Sequence, residues 1–149
     1  MVDEPQDYIL PDAIADRVDD LSEKGNSQLD DDGDWNGAIL TWRQALELLP
    51  EPKTVWDAWV WLNASIGDAA RRGGDLQTAR QALLDAMKNF GGATNPFILL
   101  RLGQTLVDLQ DTKNGIDHLL RAYMLEGAEV FEDDGSDYLA LLRDQKLID

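Results

Sequence analysis

The chain contains no cysteine and a single histidine, so several kinds of site are excluded at the start. Without thiols it has no disulfide framework, thiolate zinc site, iron–sulfur cluster or cysteine nucleophile. The histidine, His118, has no serine partner suggested by spacing, and we expect an ordinary surface or half-buried side chain. We therefore predict no catalytic residue, no metal ligand and no cofactor, and a protein that is not an enzyme.

Long apolar runs are also missing. The most apolar stretch, 55–66, is interrupted by Asp57 and Asn63 and falls short of the roughly 20 residues that span a bilayer. The first ten residues lack the basic segment and apolar run of a secretion leader. We therefore expect no membrane partner, a cytoplasmic location, and a single domain across all 149 residues.

Basic residues are scarce, because 13 lysines and arginines face 29 acidic residues, for a net charge of -16. The excess lies at the two ends: residues 1–34 hold 12 acidic and 2 basic residues, and residues 126–149 hold 8 and 2. Such a charge repels nucleic acid and attracts cationic surfaces. We expect a protein partner with a basic surface or extended segment, and no nucleic acid. The alternative is that the charge serves only solubility.

Two acidic runs, 30–34 and 132–137, raise the question of a calcium loop, because calcium prefers several carboxylate oxygens. When Gly33 or Gly135 is placed at the invariant glycine of a twelve-residue calcium loop, the first and last positions of that loop hold residues without a carboxylate. The loop then lacks its two end ligands. Solvated turns are therefore the better interpretation. A metal-dependent hydrolase using 30–34 is the weaker alternative.

Three segments of the chain share one pattern: an aspartate, a small residue, a large apolar residue and an alanine. In order, these are Asp34, Ala38, Trp42 and Ala45; Asp75, Ala79, Leu83 and Ala86; and Asp111, Gly115, Leu119 and Ala122. Steps of four and three residues separate the last three positions, which places them on one stripe of a helix. A glycine precedes each segment, at Gly25, Gly67 and Gly103, and indicates a preceding helix packed closely against that stripe.

This pattern resembles the tetratricopeptide repeat (TPR) family, in which each repeat is an antiparallel helix pair with small residues at fixed positions. Segment 33–50 matches the second half of that repeat, including the closing Pro50. The resemblance implies an all-α fold: a right-handed α-solenoid of three TPR-like helix pairs, at 11–50, 54–90 and 96–126, with a C-terminal capping helix in the acidic tail 127–149.

The corresponding helices are predicted at 11–29, 35–49, 55–72, 76–90, 96–109, 112–126 and 136–147. Ala38 and Ala79 are further apart than the family's repeat length, which predicts an elongated helix starting near Thr54, with Thr54 as its cap. Tyr138, Leu139 and Leu142 suit a last helix that covers the end of the third pair.

The five tryptophans cluster in residues 35–61. Trp35 and Trp42 occupy large apolar positions of the first repeat, so we expect them in the core. The other three, Trp56, Trp59 and Trp61, are spread around a helix of 3.6 residues per turn. At least one of them is expected to face solvent or a groove, where tryptophan is a typical binding anchor.

The family resemblance also implies which positions line the ligand-binding groove. They are Asp19, Ser22, Asn26, Leu29 and Asp30 from the first repeat; Trp61, Ala64, Asp68, Arg71 and Arg72 from the second; and Phe97, Leu100, Gln104, Val107 and Asp108 from the third. One TPR subfamily grips the C-terminal carboxylate of chaperones. Asn26 and Arg101 match its pattern, but Ser22 and Phe97 replace its lysines, so we reject that ligand.

The resemblance implies a non-enzymatic protein-binding module whose acidic groove takes a basic or extended protein segment. The stretch 119–144 is similar to bacterial TPR proteins found at polymorphic toxin loci, some of which are immunity proteins, and this implies toxin neutralisation as one role. The alternative is a small acidic secretion-type chaperone that holds an apolar segment in the groove. A homo-oligomer formed through the tryptophan face is a further alternative.

Overall fold

The computed structural model describes residues 9–133 and 135–149. Residues 1–8, most of the stretch searched for a leader, lie outside the described residues, as does Asp134 of the second acidic run. The helices are α1 (Asp12–Asp30), α2 (Trp35–Leu48), α3 (Asp57–Arg72), α4 (Leu76–Ala86), α5 (Phe90–Ala93), α6 (Pro96–Asp108), α7 (Thr112–Glu126) and α8 (Ser136–Asp144). Short 3₁₀ turns cover Lys53–Val55 and Gly127–Phe131. No strand occurs in these ranges, and the all-α prediction is confirmed.

The helices pack in consecutive pairs: α1 on α2, α3 on α4, and α6 on α7. Neighbouring pairs meet where α2 packs on α3 and where α4 packs on α6. Buried clusters fill these contacts, around Trp42 in the first half, around Leu83 and Leu102 between α4 and α6, and around Leu119 and Phe131 in the last third. The inner helices α2, α3, α4 and α6 therefore contact both the partner in their own pair and a neighbouring pair.

A glycine lies at the crossing within each helix pair. The three contacts join Gly25 to Trp42, Gly67 to Leu83, and Gly103 to Leu119. A Cβ added to Gly67 would lie 2.7 Å from Cγ of Leu83, and a Cβ on Gly103 would lie 2.7 Å from Cγ of Leu119. Both distances are too short for two carbon atoms. Only glycine allows the large side chain of the second helix to pack directly on the backbone of the first.

The predicted small residues of the second helices are buried as well. Ala45, Ala86 and Ala122 have no exposed surface, and the same holds for Ala38 and Ala79. They occupy equivalent places in α2, α4 and α7. The sequence pattern therefore corresponds to a repeated packing arrangement.

The link between the first and second pairs differs from the prediction. A 3₁₀ turn covers Lys53–Val55, and α3 begins at Asp57 without any side-chain cap, so the prediction that Thr54 caps this helix is wrong. The side chains on either side fix the link instead. The Lys53 ammonium donates to the Glu47 and Leu49 carbonyls at 3.0 and 2.8 Å, and the Trp56 indole donates to the Pro50 carbonyl at 2.8 Å.

The end of the second pair also differs, because α4 stops at Ala86 and not at Phe90. The short helix α5 follows it, and Asn89 caps that helix by accepting from the Gly91 amide at 2.8 Å. The Asn89 side chain also donates to the Thr54 carbonyl at 2.8 Å. Gly92 packs so closely on the Ala86 carbonyl that no Cβ would fit there. These contacts turn the chain back toward the start of α3.

The aspartates at the start of the second helices are not equivalent. Asp34 accepts from the Gly37 amide at 2.9 Å, and Asp75 accepts from the Thr78 amide and hydroxyl at 3.1 and 2.7 Å. The hydrogen bonds from Thr78 lower the pKa of Asp75. Among the described residues, the Asp111 carboxylate accepts only from the Asn114 side chain, at 3.0 and 3.2 Å, and it caps no backbone amide.

We expect Gly67→Ala to destabilise the protein by about 1–3 kcal/mol, because the new methyl group overpacks Leu83. A glycine-to-alanine change in a helix is otherwise stabilising by up to about 1 kcal/mol. In a Leu83→Ala background, where the crossing is open, the same change should therefore become stabilising. Urea unfolding of the four proteins measures both effects. A stabilising Gly67→Ala in the wild-type background would contradict this packing.

A second prediction concerns the aspartates that cap α2 and α4. Asp34→Ala and Asp75→Ala should each cost about 1 kcal/mol of unfolding free energy, because each leaves backbone amides at a helix start without an acceptor. Asp111→Ala serves as the matched control and should cost much less. Because folding lowers its pKa, Asp75 stabilises the fold above the pKa of the unfolded chain and loses that effect as pH falls through the folded value. Equal costs at Asp75 and Asp111 in urea unfolding at neutral pH would refute the assignment.

Candidate functional site

The predicted groove residues fall into three environments: an open cleft, a set of ion pairs, and a buried cluster. Trp61, Asp68 and Arg72 lie seven and four residues apart on α3, so they share one face of that helix. Along this face of α3, the Trp61 end is exposed, whereas the Asp68 and Arg72 end is engaged in ion pairs. We therefore describe the site from its open end.

The open end is a cleft of about 390 Å³ between the start of α1 and the start of α3, which we call the α1–α3 cleft. Asp12 and Asp19 line it from α1, and Asp57 and Trp61 line it from α3. Trp61 is 38% exposed. Asp12 and Asp57 were not singled out from the sequence, because only the packing of α1 beside α3 shows that their side chains share this space.

Trp61 is the outward-facing member of the three neighbouring tryptophans. The Trp56 indole donates to the Pro50 carbonyl, and the Trp59 indole donates to the Asp85 carbonyl at 2.7 Å. Both of those rings are half-buried against the first core cluster. The prediction that at least one of the three faces outward is confirmed. Trp42 is fully buried and Trp35 is half-buried against the same cluster, as expected.

Ion pairs fill the middle of this face. Asp68 contacts Arg72 at 3.2 Å and Arg101 at 3.4 Å. The Arg101 guanidinium also donates to the Gln104 side chain at 2.9 Å and lies 4.9 Å from the Phe97 ring centre. Because Arg101 belongs to α6, these contacts tie α3 to α6. Asp68 and Arg72 are thus occupied within the chain.

A second polar set joins the C-terminal helix to the same face. Arg71 of α3 contacts Asp108 of α6 at 3.2 Å and donates to the Tyr138 hydroxyl at 2.9 Å. The Tyr138 hydroxyl in turn donates to Asp108 at 2.7 Å. Burial, followed by the hydrogen bond to Asp108, raises the pKa of Tyr138. We call this set the Tyr138 latch, and it connects α8 with α3 and α6.

The structure corrects two of the predicted groove positions. Leu100 is 3% exposed and Gln104 is fully buried, so neither can contact a partner in this conformation. Leu100 packs in one cluster with Phe131 and Leu142, which come from the turn after α7 and from α8. The C-terminal segment therefore covers part of the face where the family resemblance implied an open groove. The sequence signal for this contact was the apolar set of Tyr138, Leu139 and Leu142, which predicted a last helix that covers the end of the third pair.

The remaining predicted residues lie in mixed surroundings. Asn26 is exposed on α1, and Phe97 is 42% exposed at the start of α6. Ala64 is half-buried against the cluster that contains Leu83 and Leu102, so it adds packing to the α4–α6 contact. Asp108 belongs to the Tyr138 latch.

The two ends of this face differ in charge. The ion-paired part contains three arginines and two aspartates: Arg71, Arg72, Arg101, Asp68 and Asp108. Among the residues that the structure describes, three aspartates and no basic residue line the α1–α3 cleft. Within the described ranges, none of its three carboxylates takes part in an ion pair. Negative charge is therefore concentrated at the open end.

Other site types find little support in the described part of the chain. No three His, Asp or Glu residues there are grouped so that they could hold a metal ion. The His118 ring nitrogen lies 2.7 Å from the Asn114 carbonyl, one turn earlier in α7. No helix in residues 9–133 or 135–149 is both long enough and apolar enough to cross a bilayer.

We expect Tyr138→Phe to loosen the C-terminal helix, because it leaves Arg71 and Asp108 without their shared hydroxyl. The expected loss is about 1 kcal/mol, seen as roughly fivefold faster amide hydrogen exchange in α8. Folding raises the pKa of Tyr138, so its stabilising effect on the fold is fully present below the pKa of this group in the unfolded chain. That stabilisation is lost as pH rises through the pKa in the folded protein.

The matched control is Tyr123→Phe. That ring packs 6.4 Å from Phe131, and its hydroxyl forms no hydrogen bond within the described residues. Exchange in α8 should change little in this variant. If both variants accelerate exchange equally, the latch contributes nothing specific.

No protein-family model matches the chain, and a search of curated proteins finds no matching sequence. The function must therefore be inferred from the residues of this face.

Proposed function

We propose that this chain is a non-enzymatic, cytoplasmic protein-binding module, built as a right-handed solenoid of three TPR-like helix pairs with a C-terminal capping helix. Its acidic groove takes a basic or extended segment of another protein. One specific form of the proposal is a bacterial immunity protein, which neutralises a cationic toxin through this surface. The observation that carries the proposal is the exposed Trp61 beside three aspartates that have no basic neighbour in the cleft.

The repeated packing supports the solenoid part of this proposal. Three glycine crossings recur in register, and each pair contacts a neighbouring pair through one helix of each. Stacked pairs of this kind place their first helices side by side and leave an elongated surface along them. A surface of that shape suits an extended segment of a partner.

The charge distribution supports a basic partner. A net charge of -16 repels phosphate groups, so nucleic acid is disfavoured, and it accelerates the approach of a cationic protein. A tryptophan that remains 38% exposed next to this charge is a common kind of binding hot spot. In this proposal the negative charge increases the rate of association with a basic partner, and the indole ring supplies apolar contact area in the complex.

The alternative proposal is a secretion-type chaperone that holds an apolar segment. It is favoured by Phe97, which is 42% exposed at the start of α6, in addition to Trp61 on α3. Salt separates the two proposals. Binding steered by charge should weaken strongly between about 50 mM and about 500 mM salt, whereas apolar groove binding should change little.

Trp61→Ala tests the proposed function. Proteins retained from native lysate on the immobilised chain should fall by about tenfold with this variant, because truncating a central aromatic anchor typically costs on the order of 2 kcal/mol of binding. The melting temperature should change little, because the ring is already partly exposed.

Leu40→Ala is the control, since Leu40 is 61% exposed on α2 and lies outside the cleft. Its retained proteins should match those of the wild type. Equal retention by Trp61→Ala would reject the proposed surface, and a large loss of thermal stability would instead assign Trp61 to the core. Sedimentation of the free chain tests whether a second copy of the chain occupies the same face.

A further inference from the structure

We infer that the α1–α3 cleft is the anchor site for one lysine or arginine side chain of an extended partner segment. This inference rests on the proposed protein-binding function and specifies the chemistry that the site recognises. It names a particular side chain in a particular cavity, whereas the proposed function requires only an acidic surface.

The size of the cleft suits one long side chain. At about 390 Å³ it lies at the small end of the range for ligand pockets. It is an open cleft lined by residues of α1 and α3, with Trp56 and Trp61 among them. An aliphatic chain of three or four carbons can lie along such a cleft while its charged end stays near water.

The polar groups of the cleft select a cation. Asp12, Asp19 and Asp57 place three negative charges around one cavity, and no lysine or arginine lines it. An apolar side chain would remove water from these carboxylates without replacing its hydrogen bonds, which is unfavourable. An anionic side chain would be repelled. A cation is attracted by the carboxylates that line the cleft and by the neighbouring indole rings of Trp56 and Trp61.

The rest of this face, beyond the α1–α3 cleft, is poorly suited to binding a basic side chain of a partner. Asp68 and Asp108 already contact arginines of the chain, and Tyr138 occupies the space beside Arg71. A partner's basic residue would have to displace one of those arginines to bind there. The α1–α3 cleft offers carboxylates that have no such competitor among the described residues.

The experiment uses the full chain and four capped heptapeptides that differ only at the central residue, which lies between two leucines. The central residue is lysine, arginine, norleucine or glutamate. The readout is the indole N–H signal of Trp61 in a nitrogen–proton correlation spectrum, assigned by its loss in Trp61→Phe. The lysine and arginine peptides should shift this signal saturably, and the norleucine and glutamate peptides should not.

Paired variants locate the effect in the cleft. Asp19→Asn combined with Asp57→Asn should raise the Kd of the lysine peptide roughly tenfold. Asp16→Asn combined with Asp20→Asn is the matched control, because it removes the same charge from exposed residues of α1 that do not line the cleft. That control should raise the Kd by less than about twofold in physiological salt.

The inference is overturned if no peptide shifts the Trp61 signal, if norleucine or glutamate binds as well as lysine, or if the two paired variants weaken binding equally. The retention of lysate proteins on the immobilised chain distinguishes failure of this inference from failure of the proposed function. If Trp61→Ala loses its retained proteins but the Asp19→Asn and Asp57→Asn variant keeps them, the cation site is wrong and the binding surface stands. If Trp61→Ala also keeps them, the proposed function fails.

Discussion

The close contact between a glycine and a large apolar side chain determines how every helix pair is built. At each crossing the first helix contributes a residue without a side chain, and the second contributes Trp42, Leu83 or Leu119. A glycine in a helix costs about 1 kcal/mol relative to alanine, so a short interhelical distance must compensate for it. Because the large side chain packs on backbone, the two axes have little freedom to slide or separate. The remaining packing follows from this constraint.

Fixed crossings determine which face of each first helix is left for other contacts. In α3 the glycine faces α4, and the stripe of Trp61, Asp68 and Arg72 faces away from that crossing. The second half of this stripe is engaged by α6 and by the C-terminal helix, through Arg101 and Tyr138. The first half is left beside α1. The same helix therefore carries a closed, charge-balanced part and an open, acidic part.

Local and periodic features of the fold could be predicted from the sequence. The small–large pattern located the helices of all three pairs, and even Asn36–Gly37, which in isolation favours a hairpin, lies in the first turn of α2. Prediction failed where distant segments decide the outcome. The cap expected at Thr54 is missing because a 3₁₀ turn covers Lys53–Val55 and α3 begins only at Asp57; the Thr54 carbonyl accepts from Asn89, 35 residues later. Leu100 is buried because Phe131 and Leu142 of the C-terminal segment pack in the same cluster, and the sequence predicted the covering helix without showing which groove position it would close.

The position of the proposed cation site agrees with the distribution of charge along the chain. Residues 1–34 carry 12 acidic residues, and Asp12 and Asp19 of the cleft belong to that segment. The most acidic segment of the chain therefore includes two residues that line the proposed cation site. A basic partner attracted over roughly a Debye length, about 8 Å in physiological salt, would arrive at the end of the molecule where its side chain can dock. The proposed anchor, Trp61, lines the same cleft as these acidic residues, so the charge that would attract the partner and the ring that would bind it lie together.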